Sequence, residues 1–214
     1  GDRNEAIRIY GHISNWNMST LNNALILAAL NGQAEIVRLL LAAGASTEAH
    51  EEFYDGDTPL IAGAKANNAE IVELLLDAGA NVDATDNYGY TALMGVVTLS
   101  ILINREDLTR RMERIVRNIH RSGNMRNGQA EIVGLLLAAG ADINATNDNG
   151  DTALRYAAQG GDADIVRLLL AAGANVEATN NDGDTALCYA ERNDHVEIVR
   201  LITTNPLEAG RLVR

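Results

Sequence analysis

The stretch "DTALRYAAQGGDADIVRLLLAAGANVEA", Asp151 to Ala178, decides how the rest of the chain is read. Thr152 stands where an N-cap hydroxyl would accept from the first amides of a short helix, and the small apolar run after it suits that helix. A second helix is written by Ile165, Val166, Leu168, Leu169 and Leu170, whose spacing makes a broad apolar face. Gly173 follows at the position that needs a left-handed residue, and a polar stretch then turns the chain back. Two helices this short cannot bury both apolar faces against each other. Each buried Leu, Ile or Val contributes roughly 1.5–3 kcal/mol, so the pattern demands stacked copies.

The copies are present. Asp57-Thr58-Pro59-Leu60, Tyr90-Thr91-Ala92-Leu93 and Asp184-Thr185-Ala186-Leu187 each open a unit as Asp151-Thr152-Ala153-Leu154 does. The glycines before them, Gly56, Gly89, Gly150 and Gly183, are 33, 61 and 33 residues apart. Gly44, Gly79, Gly140 and Gly173 close the second helices. From Ile36 to Ile71 the period is 35, so the first connection carries two extra residues. The expected fold is all-α, a solenoid of helix-turn-helix units joined by hairpin-like turns.

A 33-residue period of turn plus two helices resembles the ankyrin repeat. "GDTPL", "GYTAL", "GDTAL" and "LLLAAGADINA" look like that family's G-x-T-P-L-H and L-L-x-x-G-A-D-V-N-A elements. The resemblance covers residues 21–204 as five repeats, leaving 1–20 as an N-terminal cap or the remnant of an upstream repeat and 205–214 as a C-terminal cap or tail. It departs where the family's histidine is replaced by Ile61, Met94, Arg155 and Cys188, and His195 sits where the family often has a second histidine.

The 61-residue interval contains an interruption. Removing residues 99–126 joins "TALMGVVT" to "NGQAEIVGLLLAAGA" and restores the pattern of the first copy, "NALILAALNGQAEIVRLLLAAGA". The insertion therefore falls between the two helices of the third repeat. Leu108, Met112, Ile115, Val116 and Ile119 share an arc of about 100°, with Arg110, Arg114, Arg117 and Arg121 opposite, so an amphipathic helix is expected. "LSILIN" before it continues the first helix by one or two turns. The insertion's net charge is +4, which leaves the remainder at −16 within an overall −12. It is either a solvated elaboration, which costs little in a surface loop, or a basic dock for an acidic protein, an anionic lipid headgroup or a second copy of the chain.

Composition excludes more than it assigns. A pI near 4.7 argues against general attraction to nucleic acid. The single cysteine, Cys188, forbids an intrachain disulfide and fits an intracellular, cytoplasmic setting, or a host cytoplasm for a bacterial effector. Its register is one the family usually buries, so it is read as inert. No run reaches the roughly 18 apolar residues of a membrane span. His12, His50, His120 and His195 are scattered, there is no phosphate-binding glycine loop, and no serine lies in a nucleophile elbow. No cofactor, no metal and no enzymatic activity are expected from these residues.

The resemblance implies binding of a partner protein through a concave surface of hairpin tips and first helices. The tip residues by this register are Tyr54, Asp55 and Asp57; Asn87, Tyr88 and Tyr90; Asp148, Asn149 and Asp151; and Asn181, Asp182 and Asp184. Lys65, Gln159 and Arg192 fall beside them on the first helices. Exposed tyrosines are frequent interface anchors, and the aspartates either form turns or steer a basic partner. Two other roles stay open: the basic insertion as the main binding element, and the chain as the targeting part of a larger enzyme or secreted effector.

Overall fold

The computed structural model describes residues 16–50, 55–103 and 125–204. Tyr54, the arginines Arg110, Arg114, Arg117 and Arg121, the tail 205–214 and most of the expected N-terminal cap lie outside these residues.

Ten helices occupy the described residues, and no strand is present among them. In chain order they are α1 (Met18–Leu30), α2 (Ala34–Ala42), α3 (Pro59–Lys65), α4 (Ala69–Asp77), α5 (Ala92–Ile103), α6 (Met125–Ala138), α7 (Ala153–Gly160), α8 (Ala163–Ala171), α9 (Ala186–Arg192) and α10 (Val196–Thr203). They pair in sequence, and the pairs stack: α1, α3, α5, α7 and α9 make one layer, and α2, α4, α6, α8 and α10 the other. The threonines do what their positions require. Thr58, Thr91, Thr152 and Thr185 accept from the amide three residues on, at 3.3–3.4 Å. Gly44, Gly79, Gly140 and Gly173 adopt φ of +86 to +91°, the left-handed value that releases the chain from each second helix.

The core follows from the shared register. Leu25, Leu60, Leu93 and Leu154 are buried in the first layer, and Val37, Val72, Val133 and Val166 in the second. Neighbouring pairs are also sewn together by side chain to backbone bonds. Asn81 N donates to Glu48 Oε1 at 2.9 Å, Asp142 N to Asp83 Oδ1 at 2.8 Å and Asn175 N to Asn144 Oδ1 at 2.8 Å. On the outer layer Arg38 joins Glu35 to Glu70 at 2.8 Å each, and Arg167 joins Asp164 to Glu197. These exposed pairs add little each.

The third pair differs from the others. α5 runs past Thr98, the register equivalent of Leu30 and Lys65, as far as Ile103. α6 begins at Met125, ahead of Ala130, whose counterparts Ala34, Ala69 and Ala163 are the first residues of their helices. The expected run-on of the first helix is therefore present, and the second helix starts early as well.

Candidate protein-interaction surface

The last three tips are turns closed on buried Asx side chains. Asp86 Oδ1 accepts from Tyr88 N and Tyr90 N, both at 2.9 Å. Asn147 Oδ1 accepts from Asn149 N at 3.0 Å and Asp151 N at 2.9 Å, and Asn180 Oδ1 from Asp182 N at 3.1 Å and Asp184 N at 2.9 Å. Successive tips are bonded to one another: Asn87 N to Asp55 O at 2.8 Å, Asp148 N to Tyr88 O at 3.1 Å and Asn181 N to Asn149 O at 2.9 Å. The result is a continuous row that holds Asn87, Tyr88, Asp148, Asn149, Asn181 and Asp182 in solvent. Tyr88 is 55% exposed.

Of the other predicted residues described, half-buried Asp55 belongs to the row, and the rest are bonded within the surface itself. Asp57 is fully buried, and Lys65 Nζ lies 2.6 Å from its Oδ1 and 3.5 Å from Asp86 Oδ2. Asp151 is buried too, with Arg155 Nε 2.5 Å from its Oδ1. That contact is an ion pair by distance but lacks hydrogen-bond direction, since Nε–H finds no aligned acceptor. Arg155 Nη1 instead donates to Gln159 Oε1 at 2.9 Å. In the last pair Arg192 grips Asp184 with two nitrogens, at 2.5 and 2.7 Å. That fork holds the Asp184 carboxyl below the usual carboxylate range and raises the guanidinium of Arg192. The three cations beside the tips are thus all neutralised by carboxylates of the same surface.

Three tyrosines fill the space between the last three pairs. Tyr90 and Tyr156 hydroxyls meet at 2.5 Å, Asn147 Nδ2 donates to the Tyr156 oxygen at 2.8 Å, and Tyr156 donates to Asp151 Oδ2 at 3.1 Å. Burial, reinforced by the bond to Tyr90, pushes the Tyr156 hydroxyl far above the ordinary phenol range. The Arg155 guanidinium lies 3.8 Å from the Tyr156 ring centroid and 4.5 Å from that of Tyr189, a double cation–π contact. Of the two tyrosines expected as anchors among the described residues, Tyr88 is exposed and Tyr90 is half-buried and bonded inward.

Two expectations about single residues change. Arg155, at the register of the family's first histidine, is no loose departure: its ion pair to Asp151 and its contact with the Tyr189 ring join its own pair to the following one. Cys188 was expected to be buried and is half-buried, because its counterparts Ile61 and Met94 lie between first helices while α9 is the last helix of its layer among the described residues. Bonds from Thr185 lower its thiol pKa. His195, at the N-cap register of α10, sets Nε2 3.2 Å from Gln159 O. A carbonyl only accepts, so Nε2 carries the proton.

With the fold and the tip row in place, comparison with known proteins is decisive on one point. A family model described as ankyrin repeats (3 copies) matches residues 25–100 and 123–209. The chain belongs to the ankyrin repeat family. The unmatched residues between the two blocks fall inside the interruption at 99–126. No curated protein matches the chain. Ankyrin repeats are in general protein–protein interaction modules, typically without catalytic activity. Among the described residues no group of three or more His, Cys, Asp and Glu side chains is arranged to hold a metal, and no helix is long and apolar enough to cross a membrane.

The turn-closing Asx residues Asp86, Asn147 and Asn180, and the filler residues Arg155, Tyr156 and Tyr189, were missed as parts of this surface. A signal existed for the first group: Asp86, Asn147 and Asn180 each stand four residues before Tyr90, Asp151 and Asp184 in the aligned units.

Proposed function

We propose that this ankyrin repeat chain is a non-catalytic scaffold that binds a partner protein through its concave tip and first-helix surface, with residues 21–204 acting as five repeats. The observation that carries the reading is the division of labour on that surface. Lys65, Arg155 and Arg192 are spent on internal carboxylates, while Tyr88, Asp148 and Asp182 remain in solvent on a bonded row. Such a surface offers an aromatic anchor flanked by uncompensated negative charge, which suits a basic segment. Asp57 and Asp151 serve as its supports rather than its contacts.

The test is a selection of displayed peptides against the whole chain, followed by titration of the winners. Enrichment of Arg- and Lys-rich sequences is expected, with affinity that falls as salt rises and drops at least tenfold in Tyr88→Ala/Asp148→Asn. Neither residue supports the core, so the double variant keeps its helical signal. Binders indifferent to both substitutions would sink the reading.

A further inference from the structure

The seven residues Asn31-Gly32-Gln33-Ala34-Glu35-Ile36-Val37 recur unchanged as Asn127-Gly128-Gln129-Ala130-Glu131-Ile132-Val133. The two copies do not share a structure. In the first, Asn31 caps α1, Gly32 turns left-handed at φ +71°, and Gln33 caps α2. In the second, all three leading residues are inside helix α6, and Gly128 is not left-handed. Every other pair resembles the first copy. The residue at the register of Gly128 is left-handed in each: Gly32 at +71°, Asn67 at +53°, Gly161 at +77° and Asp194 at +57°.

One hydrogen bond shows what has been exchanged. In those four pairs the next backbone amide reaches back across the turn to one carbonyl of the first helix. These bonds are Gln33 N to Ala28 O, Asn68 N to Gly63 O, Asp162 N to Ala157 O and His195 N to Ala190 O, at 2.9–3.3 Å. The equivalent carbonyl in the third pair is that of Val96. It is met at 2.8 Å by the side chain of Gln129, Nε2, and this side chain is fully buried. The helical backbone of Gln129 is otherwise engaged; the run-on of α5 presents the Ser100 amide to Val96 O, and the Gln129 side chain adds a second donor across the junction. Meanwhile Leu99 occupies the register of Asn31 and Ala66, which end their helices, yet it continues α5 and is buried.

We propose that the root of the insertion is a two-state junction. In the state described here α5 and α6 each run on, and Gln129 clasps Val96 O through its side chain. In the other, both helices stop where their counterparts stop, Gly128 turns left-handed, and the backbone amide of Gln129 takes Val96 O as that of Gln33 takes Ala28 O. The sequence favours the second state locally, since Asn and Gly are poor inside a helix and good at a turn. Burial of Leu99 favours the first. Switching would change how the ends of the insertion are held without unstacking its neighbours, whose interfaces form through residues common to both states. The helical state also has a use for the glycine, because a Cβ at Gly128 would meet Asn67 Nδ2 at 2.8 Å. The test therefore leaves Gly128 alone.

The experiment is residue-resolved amide exchange and Cα shift measurement by NMR on the full chain and on Leu99→Ala. Exchange of Ser100–Ile103 is expected to quicken on the order of tenfold or more, and the Cα shifts of Met125–Gly128, whose first-turn amides lack helix acceptors, to move from helical toward turn values, while the amide of Gln129 stays protected, because the turn gives it a new acceptor. Asn127→Ala, which cannot form the Asn31-type cap and prefers the helix, moves the Cα shifts of Met125–Gly128 further toward helical values and slows exchange at Ser100–Ile103 by about threefold. Simple fraying gives a different result: Gln129 loses protection along with the rest in Leu99→Ala. That outcome, or indifference of the Met125–Gly128 Cα shifts to both substitutions, overturns the proposal.

Discussion

Lys65→Met is the sharpest perturbation the surface offers, because the molecule contains its own control. Lys65 and Arg192 occupy the same register on α3 and α9, and each pairs with the aspartate eight residues before it. The difference is burial. Asp57 has no exposed side-chain surface and Lys65 only 19%, whereas Asp184 keeps 18% and Arg192 59%. Asp86, also buried, faces Lys65 at 3.5 Å, so removing one ammonium takes a counter-charge from two buried carboxylates. Breaking a buried pair from one side costs about 3–5 kcal/mol, and the partial exposure of Lys65 places this case near the lower figure, about 3 kcal/mol. Arg192→Met, at an exposed pair screened by solvent, costs far less. Urea unfolding followed by far-UV circular dichroism measures both; amide exchange at Tyr88 and Tyr90, whose amides are held by Asp86, checks that the damage is local, since repeat stacks need not unfold in one step. Asp57→Asn in the Lys65→Met background should recover part of the loss. A Lys65→Met loss below about 1 kcal/mol, equal to that of Arg192→Met, would refute the reasoning.

Other outcomes follow from the same geometry. Tyr156→Phe removes a hydroxyl that joins Tyr90, Asn147 and Asp151, and should cost about 2 kcal/mol in urea unfolding, more than Tyr90→Phe on the half-buried side. Because the folded state raises the Tyr156 pKa, its neutral hydroxyl contributes stability below pH about 10, and that contribution is lost as pH climbs further; Tyr156→Phe should flatten the alkaline slope of stability. Gly134 is exposed within α6, and a Cβ there meets nothing within 4 Å, so Gly134→Ala should gain up to about 1 kcal/mol. Gly173→Ala, at φ +91°, should instead lose about 1–2 kcal/mol, both read from thermal melts.

Much of this architecture is legible in the residues because each signal is local. A threonine hydroxyl three residues from an amide, or a glycine one step past a helix, needs no knowledge of the rest of the chain, and both sets behave as expected. The run-on of α5 past Thr98 is equally plain in its apolar sequence. What escaped sequence reading depends on neighbours. Asp57 and Asp184 look alike as turn residues, yet one is sealed under Lys65 and a following pair while the other has no further pair over it among the described residues. Arg155 looks like an odd substitution until Tyr156 and Tyr189 are seen to enclose it. The repeated "NGQAEIV" is the clearest limit: identical residues make a turn in one place and a helix in another, because what precedes them differs.

The central claim, that a partner docks on the tip row and the first helices, is tested most directly by mapping backbone amide shifts when a selected basic peptide is added to the labelled chain. The account predicts a footprint on Tyr88, Asp148, Asn149 and Asp182 and along α5, α7 and α9, diminished by added salt. A footprint confined to α2, α4, α8 and α10, with those tip amides unmoved, would contradict it.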